Sequence, residues 1–119
     1  MQMDFNVEFY VTVAGHSPIR DFLEDLKASD PGDFAAVMAG LAKLRNRGYH
    51  RPPLSKDIGD ALYELRHVGK LNTRILYFFM RGRRIIAVHG IRNKGQKILP
   101  NDRQTALARM NEWMKRQPT

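Results

Sequence analysis

The chain has 119 residues, one domain of ordinary size spanning 1–119, with 43% hydrophobic residues and no cysteine. That composition excludes a disordered chain, a disulfide framework, a cysteine nucleophile and a thiolate metal site, and it fits a reducing cytoplasm. The net charge of +8 is uneven: residues 1–40 hold two basic and seven acidic residues (−5), and residues 41–119 carry +13. The basic part suggests a polyanionic partner, against the plainer reading of a basic protein without one.

Met1-Gln2-Met3-Asp4 shows neither a basic n-region nor an apolar h-region, so no signal peptide is expected. No apolar run approaches the ~20 residues of a membrane span. Phe5, Val7, Phe9, Val11 and Val13 alternate with Asn6, Glu8, Tyr10 and Thr12, which predicts a strand with one buried face. Ser17-Pro18 is a helix start, with a hydroxyl at the N-cap and proline in the first turn. Ile19, Phe22, Leu23 and Leu26 share one face of that helix. Asp30-Pro31 repeats the device, and Phe34, Val37, Met38, Leu41 and Leu44 form the apolar set of a second helix, with Gly48 as its stop. The two make a helical hairpin. Lys43, Arg45 and Arg47 at its end, and Arg51 beyond, complement the helix dipole or, as a group, extend a phosphate-binding surface.

Pro52-Pro53 and Gly59-Asp60 bound a loop of about a dozen residues, near the limit for a structureless connection. Three strands follow, over Leu62–Arg66, Arg74–Phe79 and Ile85–His89, joined at Gly69 and at Arg81-Gly82. Short links predict an antiparallel meander, and the two-sided apolar run Ile75–Met80 predicts its central strand. After Pro100, Asn101 with Gln104 suggests a capping box, opening a last helix whose apolar face is Ala106, Leu107, Met110, Trp113 and Met114. The order is β-α-α-β-β-β-α, an α+β domain: an antiparallel meander with an N-terminal strand, a helical hairpin and a C-terminal helix.

His16, His50, His67 and His89 show no metal-ligand spacing, and there is no phosphate loop or nucleophile elbow. No metal and no cofactor is expected. What remains is cationic. Arg66 ends one strand, Arg74 begins the next and His89 ends the third, which a meander brings to one edge; Arg92, Lys94, Gln96 and Lys97 follow. Guanidinium forks match phosphate oxygens. Metal-free RNA cleavage needs cations on the phosphorane, a base for the 2′-OH and an acid for the 5′-oxygen. The alternatives are plain. Arg66 could pair with Glu64 or Asp60, Glu64 fits a structural partner of an arginine, and His89 fits a core histidine bonded to backbone as well as a catalytic one. Arg74 shares a face with Leu76 and Phe78, so it leans toward buried surface and requires a partner.

Leu62-Tyr63-Glu64-Leu65-Arg66, Arg74-Ile75-Leu76-Tyr77 and His89-Gly90-Ile91-Arg92-Asn93-Lys94-Gly95-Gln96-Lys97 together resemble the core of RelE/ParE-superfamily toxins, in particular the HigB-like, phage-derived branch of type II toxin–antitoxin systems. The resemblance covers roughly residues 5–115. It implies a cytoplasmic RelE-like endoribonuclease that cleaves mRNA at the ribosome, and a cognate antitoxin, commonly a helix-turn-helix protein. It implies Arg66 and Arg74 at the scissile phosphate, His89 and Lys94 as acid or base, and Gln96 and Lys97 in the adjoining tail. Ile91 stands where an aromatic is usual and Asn93 where the first lysine of a pair is usual. A wider basic face of Arg45, Arg47, Arg51, Lys70 and Arg92 would dock on RNA. The rival expectations are a non-catalytic toxin of the ParE type acting on DNA gyrase, and a nucleic-acid-binding regulator.

Overall fold

Both helix starts follow their local caps. The Ser17 side chain accepts from the Arg20 amide at 3.3 Å, opening α1 (Pro18–Ser29). Asp30 closes α1 through its own N–H to Leu26 O, and its carboxylate accepts from the Asp33 amide at 3.1 Å to open α2 (Pro31–Lys43). One residue thus serves two helices, which is why the hairpin needs almost no loop. The computed structural model describes residues 4–66, 72–93, 95 and 97–117. Besides α1 and α2, it contains β1 (Asn6–Phe9), β2 (Ser55–Gly59), β3 (Leu62–Arg66), β4 (Asn72–Met80), β5 (Arg84–Asn93) and α3 (Pro100–Arg116). The result is an α+β domain consistent with a RelE-like fold.

The sheet order is β1-β5-β4-β3-β2. β2 to β5 form the antiparallel meander, β4 is central, and β1 adds to β5 in parallel. The segment read as a loop is therefore partly a strand. Ser55, Lys56 and Asp57 pair with Leu65, Glu64 and Tyr63. A two-residue turn, Asp60-Ala61, both at positive φ, then closes the hairpin between Gly59 and Leu62.

Three other elements depart from expectation. β1 stops at Phe9; Val13 is exposed, and Tyr10 turns in under α3, its hydroxyl donating to Glu112 Oε1 at 2.6 Å. α2 ends at Lys43, so Gly48 is not its stop, and Arg45 and Arg47 lie past the helix, the latter in a 3-10 turn at Arg47–Tyr49. α3 is capped at Leu99 with Pro100 in its first turn, and no side chain caps it, so Asn101 and Gln104 form no capping box. Gly69 lies outside the described residues.

Two apolar layers hold the sheet. Ile19, Leu23, Leu26, Val37, Leu41 and Leu44 of the hairpin region pack on Leu65, Ile75, Tyr77, Ile85 and Ala87. On the other side, Ala106 with Leu107, Met110 and Trp113 of α3 packs on Leu62, Leu76, Phe78, Ile86 and Val88. Each fully buried aliphatic or aromatic side chain contributes roughly 1.5–3 kcal/mol. β5 changes phase midway: Leu76 pairs with His89 but Tyr77 with Ala87, leaving Val88 as the extra residue of a bulge. Before it, even-numbered residues face α3; after it, odd-numbered ones do.

Candidate active site

The register sets Arg66 directly opposite Arg74, and Glu64 opposite Leu76 and Lys56. Two arginines facing each other across a ladder would repel, and Glu64 resolves the conflict. Its Oε1 lies 3.2 Å from Arg74 Nε and 3.5 Å from Arg66 Nε. Glu64 is thus the structural partner of both arginines. Arg74 is only 2% exposed. Its Nη2 donates to the carbonyl of Gly95, which also accepts from Asn72 Nδ2, while Nη1 has no hydrogen-bond partner among the described residues. Burying that charge is tolerable only with such pairing. Arg66 differs: 38% of its side chain is exposed, so its fork can reach a ligand.

Arg66 opens into a cleft of about 460 Å³ between β2, β3 and the segment leading into α3, lined also by Lys56, Glu64, Lys97, Ile98 and Arg103. Arg103 is held in place by Asp60, at 3.0 Å, and by the Ile58 carbonyl. Lys56 and Lys97 are exposed. Cations therefore outnumber acids around this opening.

His89 lies on the same sheet face, two strands from Glu64, and both its ring nitrogens are taken. Arg109 Nη1 approaches Nδ1 at 3.2 Å and donates to Val88 O at 2.8 Å. A guanidinium only donates, so Nδ1 accepts, and Nε2–H donates to Asp102 Oδ1 at 2.8 Å. His89 is thus neither backbone-bonded nor free, but is clamped to α3. Burial pulls the Arg109 pKa below the ordinary arginine value. Among the described residues, no three histidines or acids converge as metal ligands.

The fold brings together Arg66, Arg74, Lys97 and, further along the face, His89. It separates the others. Arg92 points to the opposite face, where Nη2 lies 2.7 Å from Asp30 and 3.8 Å from Asp33. Arg45 pairs with Asp4 at 3.2 Å. Arg47 and Arg51 line a different hollow of about 560 Å³ with Asn46 and His50. Lys70, Lys94 and Gln96 lie outside the described residues. Sequence reading missed Lys56, Asp102, Arg103 and Arg109. For Lys56 a signal existed: Gly59-Asp60, two residues before Leu62, marks a tight hairpin whose first strand must run through 55–59.

No curated protein matches the chain. One family model does, described as "Phage derived protein Gp49-like (DUF891)", over residues 24–111. That span runs from within α1 to within α3 and includes every residue named around the cleft. With most of the chain matched and the fold agreeing, this protein belongs to the phage-derived Gp49-like family, a RelE-like toxin family.

Proposed function

We propose that the protein is the toxin of a type II toxin–antitoxin pair and a metal-independent endoribonuclease acting on mRNA, at the ribosome. The observation that carries this reading is Arg66, a half-exposed guanidinium in a cationic cleft, braced from beneath by the buried Glu64–Arg74 pair. Such a fork can hold two non-bridging oxygens of a phosphodiester and offset the charge that grows on them. A base removes the 2′-OH proton, the 2′-oxygen attacks phosphorus, the P–O5′ bond breaks and an acid protonates the departing oxygen.

Arg74, being buried, acts as a positioning residue. It fixes Glu64, and through Gly95 it anchors the tail that carries Lys94 and Lys97. With both nitrogens of His89 engaged, proton transfer falls to Lys94, and His89 ties Asp102 to the sheet. Arg45, Arg47 and Arg51 belong to the surface that docks on ribosomal RNA, and a helix-turn-helix antitoxin is the neutralising partner.

The test is inducible expression of the wild type and Arg66→Ala, with growth followed and mRNA ends mapped. Arg66→Ala is the clean variant because its side chain is not core. Wild type should arrest growth and produce translation-dependent cuts, and the variant should lose cutting by about 10²-fold or more, the scale of removing one transition-state donor. Growth arrest with intact mRNA would refute the ribonuclease reading and favour a gyrase-type target.

A further inference from the structure

Lys56 is a cation of the cleft that the resemblance does not bring to the site. It is the second residue of β2, an edge strand. Its Cα partner is Glu64, which puts it in line with the carboxylate that braces Arg66, and it lines the same cleft. Ile58, two residues on, packs into the layer under α3, so this side of β2 turns toward the cleft and not away from the protein.

The cleft's cations fall into two kinds. Arg66 is tied to Glu64, and Arg103 to Asp60 and the Ile58 carbonyl. Lys56 and Lys97 are exposed, and among the described residues neither has an ion-pair or hydrogen-bond partner. Glu64 is shared by two arginines, and with Asp57 beside Lys56 the cleft is lined by two acids against the four cations Lys56, Arg66, Lys97 and Arg103. An edge-strand lysine often serves only to block pairing with another chain. A lysine beside a cleft whose cations outnumber its acids has a second use, because a phosphate entering next to Arg66 meets an ammonium that costs no existing contact.

We infer that Lys56 contacts a backbone phosphate of single-stranded RNA bound in the cleft, beside the phosphate held by Arg66. This rests on reading the cleft as an RNA site, and it adds a binding residue from a strand outside the Leu62–Lys97 stretch that carries the resemblance. It also supplies an ammonium in a chain that has Asn93 where the first lysine of a pair is usual.

The experiment measures binding without cleavage. A 2′-O-methyl RNA oligonucleotide, which cannot form the 2′-oxyanion, is titrated with wild type, Lys56→Met, Lys56→Arg and Lys115→Met over a range of salt. Loss of one phosphate contact should lower the slope of log affinity against log salt by about 0.7 and weaken binding about fivefold at 0.1 M salt. Lys56→Arg should keep the wild-type slope. Lys115→Met, which removes the same charge from the far end of α3, should leave it unchanged. A Lys56→Met slope equal to wild type overturns the inference, as does an equal drop in Lys115→Met, which would make the effect one of net charge. If wild type binds but makes no cuts in cells while Lys56→Met still loses slope, the ribonuclease reading fails and the Lys56 contact stands. If folded wild type does not bind the oligonucleotide, the Lys56 inference fails, while the ribonuclease reading stands or falls with the cuts mapped in cells.

Discussion

Arg74 and Arg92 enter the same end of the sheet from neighbouring strands and meet opposite fates. Arg92 pairs behind the sheet with Asp30 and Asp33, where it closes the junction of α1 and α2. Arg74 stays buried in front of the sheet and pairs with Glu64, which itself lines an open cleft. Behind the sheet, the hairpin covers the face up to its end: Phe22 of α1 lies on Gly90, and Arg92 seals what is left. In front, α3 covers the apolar part of the face around Phe78 and Ile86, and leaves Glu64 and Arg66 beside an opening. A buried arginine therefore says little about function by itself. What distinguishes the two is whether the charge it neutralises supports another cation that solvent can reach. Glu64 does this for Arg66, whereas the Asp30 carboxylate is already spent on capping α2.

The sharpest way to break this comparison is to remove Glu64. Glu64→Ala strands a fully buried guanidinium and should cost roughly 3–5 kcal/mol in a urea denaturation. The double variant Glu64→Leu/Arg74→Leu should recover most of that stability, since apolar replacement of a buried pair is often neutral, yet remain inactive because Arg66 has lost its brace. Recovery of activity along with stability would mean that the pair serves the core alone. A smaller effect probes the closed face. A Cβ on Gly90 would sit 2.4 Å from Cδ2 and 2.5 Å from Cγ of Phe22, too close for the ring to escape at its far end. Gly90→Ala should therefore cost about 1–3 kcal/mol, the range for overpacking. Adding Phe22→Ala should bring the incremental cost of Gly90→Ala close to zero in a double-mutant cycle. The smallest expected effect is Arg92→Ala, whose partners are partly solvated: about 1 kcal/mol of stability, with RNA affinity and its salt slope unchanged. A fall in RNA affinity would return Arg92 to the binding surface.

How much of this could be read from the sequence depends on how local each cause is. Ser17-Pro18 and Asp30-Pro31 announced their helices because a cap is satisfied within four residues. β4 was legible because both of its faces are covered, so its run is apolar throughout. Arg74 was legible as a buried cation from its alternation with Leu76 and Phe78. β2 was legible only through its Gly59-Asp60 turn, because Ser-Lys-Asp-Ile-Gly itself has little strand propensity and is held by backbone pairing to β3. Asp102 and Arg109 were missed because only the seating of α3 on β5 brings them to His89. The side taken by Arg92 was missed because it depends on one unpaired residue, Val88, which no alternation pattern reveals.

That one residue divides β5 into two reading frames. Upstream of Val88, even-numbered Ile86 meets the core that α3 covers; downstream, odd-numbered His89 and Ile91 do. The same arrangement makes length more dangerous than identity. Substituting Val88 changes one contact, and deleting it would leave a regular ladder with His89 still toward α3 and Arg92 still toward α1, but deleting Gly90 would exchange Ile91 and Arg92 between faces while leaving the composition of the strand almost intact.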